Sequence, residues 1–255
     1  MSGLRAAGLR LSSSRRDGAP SARHARARPG FTLLETMLAI VVIGVGVIAI
    51  INAQRAFLTQ NLWSTHASTA TYLAGEIREM TRGYPRHDRF SGGIYFSDPE
   101  NPGEETFVGW GPEGDETGVA DLDDLDDFDG AVFGEATDLP EGFVMTRRYA
   151  GPIDSFGSVI TETLWNGATE MIEVEGELVP VSMRGWTQCV TVEKVDPYDL
   201  ATPVDDWEIQ VEEGTGNVLR DVDRYPVRVT VTVLYQGTWD EHAPPVTSIS
   251  WIVFP

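Results

Sequence analysis

Cysteine is almost missing from this 255-residue sequence. The single Cys189 excludes an intramolecular disulfide, and a domain of this size does not need one to hold its core. Cys189 falls in the alternating run Trp186–Val192, so it reads as a small buried strand residue. Basic charge is also scarce, with 19 Lys and Arg against 39 Asp and Glu. Seven of those basic residues (Arg5, Arg10, Arg15, Arg16, Arg23, Arg26 and Arg28) lie in the first thirty, beside one acid, Asp17. From Phe31 onward 12 basic residues face 38 acidic ones, a net charge of −26. Such a surface excludes nucleic-acid binding through a basic face. It suits a domain that is solvated, repelled by anionic lipid, or able to hold divalent cations. The sequence has no Gly-x-Ser-x-Gly, no phosphate-binding glycine loop and no His-Glu-x-x-His. Its four histidines are scattered, and His87 beside Asp88 reads as a surface polar pair. Carboxylates without a basic or aromatic frame define no acid–base pair, so no catalytic residue is assigned and an enzyme is not expected.

Proline is absent between Phe31 and Pro85, and there the positive evidence begins. Phe31 to Ile51 is an apolar segment whose only charge is Glu35, and Met37 to Ile51 has no charged or strongly polar side chain. About 20 apolar residues cross a ~30 Å hydrocarbon core, so the run spans a membrane once. A carboxylate at such a depth is costly and marks function. The arginine-rich head stays cytoplasmic by the positive-inside rule, which places the remainder outside. A secretory signal peptide fits less well. Its cleavage site would follow the core and ask for small residues, whereas the chain offers Ala53 with bulky Ile51 two residues before it. An unprocessed signal anchor is the other alternative.

Gly30-Phe31-Thr32-Leu33-Leu34-Glu35, after a basic head and before the apolar run, resembles the signal of type IV prepilins and type II secretion pseudopilins. The resemblance implies cleavage by a prepilin peptidase between Gly30 and Phe31 and N-methylation of Phe31. It implies an assembly role for Glu35 at the fifth mature position. Asn52 stands about where many major pilins carry a mid-helix proline. The stretch Ala67–Glu79 is similar to the corresponding part of minor pseudopilins and pilus-modification pilins, so the resemblance points to a minor subunit.

The helix is expected to continue past the membrane. Trp63, Ala67, Ala70, Ala74, Ile77 and Met80 recur at steps of three or four on one face, and Gly83-Tyr84-Pro85 supplies a stop. Residues 85–140 read as an acidic, Gly- and Pro-rich loop region. Within it lies Asp121-Leu122-Asp123-Asp124-Leu125-Asp126-Asp127-Phe128-Asp129-Gly130. Asp121, Asp123, Asp124, Asp126, Asp127 and Asp129 are candidate calcium ligands, since calcium takes 6–8 hard oxygens. The spacing does not fit an EF-hand loop: with Gly130 sixth, Leu125 is first and Ala136 twelfth. The plainer reading is a solvated acidic turn whose Leu122, Leu125 and Phe128 tuck into the domain.

Residues 141–255 read as strands. Val227, Val229, Val231 and Val233 share one face of the clearest, Tyr225–Tyr235, with Arg228, Thr230 and Thr232 on the other. Gly142–Tyr149, Trp186–Val195 and Val246–Phe254 are further strands, and Glu170–Val181 alternates less cleanly. The expected fold is α+β and pilin-like: a long N-terminal helix, membrane-spanning in its first half and amphipathic in its second, on a C-terminal antiparallel β-sheet. The segments are a leader (1–30), a transmembrane or filament-core helix (31–52), its amphipathic continuation (53–84), the acidic region (85–140) and the sheet domain (141–255).

The function implied is a structural subunit, processed by prepilin peptidase and assembled through its N-terminal helix into a type II secretion pseudopilus or a type IV pilus. Its partners would be the peptidase, other pilin or pseudopilin subunits and an assembly platform in the bacterial inner membrane. The alternative is a membrane-anchored exported binding module whose acidic loop holds calcium.

Overall fold

With no proline to interrupt it, Leu33–Met80 forms one α-helix of 48 residues, α1. A 3₁₀ turn, Thr81–Gly83, ends it, and Tyr84 leaves in extended conformation, ahead of Pro85. The computed structural model describes residues 30–87, 94–97, 106–112, 116–174 and 176–255. The arginine-rich head, Asp88 and parts of the acidic region around residues 98–105 and 113–115 lie outside the described residues. Contacts divide the chain between Arg55 and Ala56 into two units.

In the N-terminal unit every described side chain is exposed. The run of leucine, isoleucine and valine from Leu33 to Ile51 has no cover within the unit. In water that exposure would forfeit the burial energy of more than a dozen apolar side chains, each about 1.5–3 kcal/mol. Among the described residues this is the one helix long and apolar enough to cross a membrane.

In the second unit α1 supplies Ala70, Leu73, Ala74 and Ile77 to the core. Three of these, Ala70, Ala74 and Ile77, belong to the expected stripe, but the stripe does not extend as far as expected: Trp63 is exposed, and Leu73 joins from one position along. Higher up, the ring of His66 packs 4.2 Å from Tyr235 and 5.6 Å from Trp186.

The strands are β1 (Tyr95–Ser97), β2 (Thr106–Val108), β3 (Ala131–Gly134), β4 (Arg147–Tyr149), β5 (Met171–Val174), β6 (Glu177–Pro180), β7 (Trp186–Asp196), β8 (Asp199–Pro203), β9 (Gln210–Val211), β10 (Val218–Arg220), β11 (Val227–Tyr235) and β12 (Pro245–Val253). The main sheet runs β12-β11-β7-β3-β4, with β8 also on β7, and three two-stranded ladders stand apart from it. It is antiparallel except where β3 and β4 pair in parallel. Val227, Val229, Val231 and Val233 bury one face of β11, in register with Lys194, Val192, Val190 and Gln188 of β7. Period two puts those four β7 residues on the same face, toward α1. The opposite face of β7 holds Cys189 in a smaller cluster with Val132, Ala136, Leu234 and Ala243. Burial pushes the Cys189 thiol up to about 12.

Three sequence expectations change. Ala131–Gly134, within the stretch read as loop, is a fully buried strand of the main sheet. Gly142–Tyr149 yields only the three-residue β4, because Gly142 adopts a φ of +80° and the chain extends only from Arg147. Glu170–Val181 is not one strand but the hairpin β5–β6, turned by Gly176 at φ +90°.

Candidate functional site

At the N-terminus, Thr32 caps α1. Its hydroxyl accepts a hydrogen bond from the Glu35 backbone N–H at 3.3 Å, and its carbonyl accepts one from the Thr36 N–H at 3.1 Å. Thr32-Leu33-Leu34-Glu35 is thus laid out as a capping box, with the Glu35 carboxylate in the first turn, where the helix dipole favours negative charge. Gly30 and Phe31 precede the cap in non-helical backbone, and both are exposed. An exposed, non-helical Gly-Phe junction before a capped helix is a peptide bond a protease can reach. After cleavage, the new amine would stand four residues before Glu35.

The acidic segment divides its carboxylates. Leu122, Leu125 and Phe128 enter the core, at 2%, 1% and 0% exposure, so the apolar positions at i, i+3 and i+6 anchor the turn to the domain. Gly130 closes the segment at φ +70°, where a Cβ would lie 2.4 Å from the Val144 carbonyl oxygen. The six aspartates do not converge on one point. Asp121 is exposed and accepts from the N–H groups of Gly118 and Thr117 at 2.8 and 3.1 Å, which hold its pKa below the usual carboxylate range. Asp129 accepts from Val192 N–H at 2.9 Å and from the Trp110 indole at 3.4 Å, and burial raises its pKa. Asp124 and Asp126 are buried side by side. Burial, with hydrogen bonding to Asp126, pushes Asp124 up, and burial also raises Asp126, so the pair keeps a proton where exposed carboxyls have lost theirs. Asp127 is buried as well, and its Oδ2 accepts from the N–H groups of Asp123 and Asp124 at 3.0 and 3.1 Å. One oxygen each of Glu116, Asp123 and Asp127 come within 4.8 Å of one another.

Around Asp126 lies a buried polar network that the sequence did not reveal. His87, expected on the surface beside Asp88, is buried instead, and its Nδ1 lies 3.0 Å from Asp126 Oδ1. The cause is the stop after α1: Leu125 N–H donates to the Pro85 carbonyl, and Arg86 donates to the carbonyls of Asp223 and Tyr225, which turns His87 inward. Burial, reinforced by Arg86 and Lys194, lowers His87 to about 3. Lys194, the only lysine in the sequence, is 1% exposed and lies over the Trp110 ring at 5.2 Å. Its ammonium donates to the Asp206 carbonyl, and burial lowers its pKa to about 8. Glu116 and Lys194 were missed in the sequence. Lys194 had a usable signal, since it shares the inward face of a strand with Val190 and Val192. Glu116 had none.

The N-terminal geometry is that of an apolar helix behind a prepilin-type junction. Residues 25–51 match the family model described as the prokaryotic N-terminal methylation motif, so the chain opens with a prepilin-type signal. That motif implies processing by a prepilin peptidase and assembly with other pilins, and with the apolar helix it indicates membrane anchoring. No curated protein and no solved structure matches the chain.

Proposed function

We propose that the chain is a non-enzymatic minor subunit of a type II secretion pseudopilus or a type IV pilus, anchored in the bacterial inner membrane before assembly. The observation that carries this reading is the uncovered apolar run Leu33–Ile51 of α1 with one carboxylate, Glu35, one turn inside a prepilin-type junction. The basic head holds the precursor with Gly30 at the cytoplasmic face and the sheet domain outside. Cleavage frees the Phe31 amine. On extraction, Glu35 of an incoming subunit pairs with that amine on a neighbour, which neutralises two charges that are costly in an apolar bundle. The apolar helices then pack together while the acidic domains face solvent. A net charge of −26 from Phe31 onward makes a filament of this chain alone self-repelling, which favours a minority position among less acidic subunits.

The test is intact mass and N-terminal sequencing of the protein from native membranes, with and without prepilin peptidase. A chain beginning at methylated Phe31, and only when the peptidase is present, is expected. A chain beginning near Gln54, or one retaining Met1, would sink the filament reading and leave an anchored or secreted binding module.

A further inference from the structure

Between Ile153 and Met183 the chain leaves the main sheet as an arm. Its root is fixed: Ile153 is fully buried, and Glu76 of α1 accepts a hydrogen bond from Ser155 N–H at 2.7 Å. Backbone bonds then join three passes of the arm. Glu170 N–H donates to the Glu162 carbonyl at 2.9 Å, Glu162 N–H to that of Val181 at 2.8 Å, and Val181 N–H to that of Glu170 at 2.9 Å. Beyond this junction β5 and β6 stand as a ladder of two strands, with all their side chains exposed. Their register puts Ile172, Val174 and Val179 on one face and Met171, Leu178 and Pro180 on the other. Trp165, on a neighbouring turn of the arm, is 97% exposed. A lone two-stranded ladder is marginal in water, and exposed apolar patches mark surfaces that another molecule covers. This arm presents apolar side chains on both faces beyond a firmly held root.

We infer that β5–β6 is a docking finger that enters an apolar groove, rimmed by Lys or Arg, on a different polypeptide. The charge of the arm selects that partner. Residues 153–184 hold six acidic side chains and one basic, Arg184, and Arg184 is already bound to Glu170 at 2.7 Å. Glu177 lies on the first face of the ladder and Glu173 on the second, and neither meets a cation among the described residues. Anionic lipid does not fit as the receiver, because its headgroups repel carboxylates on both faces. A second copy does not fit either, since it brings a net charge of −26 from Phe31 onward. On a basic-rimmed partner, the rim meets Glu173 and Glu177 and sets register and encounter rate, while the buried apolar side chains hold the complex. The finger is separate from the N-terminal helix, so it stands or fails apart from the filament reading.

The full-length chain is tested in its native cells by photo-cross-linking, with p-benzoylphenylalanine in place of Trp165 or Ile172. Trp239, 94% exposed outside the arm, is the control position. Expected is a cross-link from both arm positions and none from the control, to one polypeptide. Its linked peptide, sequenced by mass spectrometry, should carry apolar residues together with Lys or Arg. With the probe at Trp165, Ile172→Ser/Leu178→Ser should lower the yield about tenfold or more, as loss of central apolar contacts does. Glu173→Lys/Glu177→Lys should lower it as far. All four side chains are exposed, so the thermal midpoints of the purified variants should match that of the wild type. A pair that fails this check is replaced by Ile172→Thr/Leu178→Thr or Glu173→Gln/Glu177→Gln, which are milder in the strands. No cross-link, a cross-link to a second copy or to lipid, an acidic contact peptide, or a yield unchanged by either pair overturns the inference.

Discussion

The side-chain amide of Gln188, on β7, donates to the main-chain carbonyl of Leu73, in α1, at 2.8 Å. The same side chain accepts from Ile153 N–H at 2.8 Å and donates to the Ile153 carbonyl at 3.1 Å. One buried residue therefore ties three separate pieces of chain, and every polar atom of its amide group is engaged. Gln188→Leu preserves the volume but strands the N–H and C=O of Ile153 in the core. At about 1–3 kcal/mol for each orphaned group, the variant should lose about 2–4 kcal/mol in urea unfolding of the detergent-solubilised chain. A loss below about 1 kcal/mol would mean that water replaces the amide.

The elements that could be read from the sequence are those whose pattern is local. The prepilin-type junction, the uninterrupted helix, its stop at Gly83-Tyr84-Pro85 and the strict alternation of Val227–Tyr235 each declare themselves within ten to fifty residues. The tucking of Leu122, Leu125 and Phe128 was legible for the same reason. What escaped depends on distant partners. Ala131–Gly134 is too short to show a period, and becomes a strand only because β7 and β4 lie on either side. His87 is buried by its own bond to Asp126, about forty positions away, and by those of its neighbour Arg86 to residues about 140 positions away, and proximity to Asp88 in sequence pointed the wrong way. The fate of each aspartate was equally hidden, since six neighbouring carboxylates look alike until the backbone turns half of them inward.

The acidic turn is a core element, and its stability should show it. Phe128 is fully buried, with its ring 6.1 Å from Tyr84 and 6.2 Å from Phe133. Phe128→Ala should cost about 3–5 kcal/mol, as other large-to-small core changes do. Trp165, at 97% exposure on a hairpin tip, should tolerate alanine within about 0.5 kcal/mol. Equal effects at the two positions, measured by denaturant midpoint, would show that the turn does not pack as described.

Acid should weaken the fold through His87. Its folded pKa of about 3 lies below the unfolded value of 6.5, so between these values the unfolded chain binds a proton the folded chain does not. Stability is therefore full above pH 6.5 and falls as pH drops toward 3, by about 1.4 kcal/mol per unit at most. Arg86 and Lys194 hold the ring neutral, while Asp126 and Asp223 face it with the opposite charge. Nearby carboxyls with raised pKa values, such as Asp206 at about 6, act in the reverse sense, so the comparison must be between variants. His87→Asn keeps a donor toward Asp126 and cannot titrate. Between pH 6.5 and 4.5 wild type should lose about 2–3 kcal/mol more than this variant. Parallel stability curves for the two would place the acid-sensitive group elsewhere.

Glu35 has two separable jobs, and substitutions at it and at Thr32 tell them apart. As the third residue of α1 it completes the capping layout begun by the Thr32 hydroxyl, a contribution of about 1 kcal/mol to the helix start. As the lone charge in the uncovered apolar run from Leu33 to Ile51, it is the group proposed to neutralise the Phe31 amine of a neighbour. Glu35→Gln retains the capping geometry and loses the charge; Thr32→Ala loses the cap and retains the charge. Both variants should still be cleaved after Gly30, because the junction is unchanged. Only Glu35→Gln should disappear from sheared filament fractions, since stranding one member of a buried ion pair costs about 3–5 kcal/mol, more than a hundredfold in occupancy. If Thr32→Ala is excluded as strongly as Glu35→Gln, the order of the helix start governs entry, and the charge pairing is wrong. If neither is excluded, the helix enters by apolar packing alone.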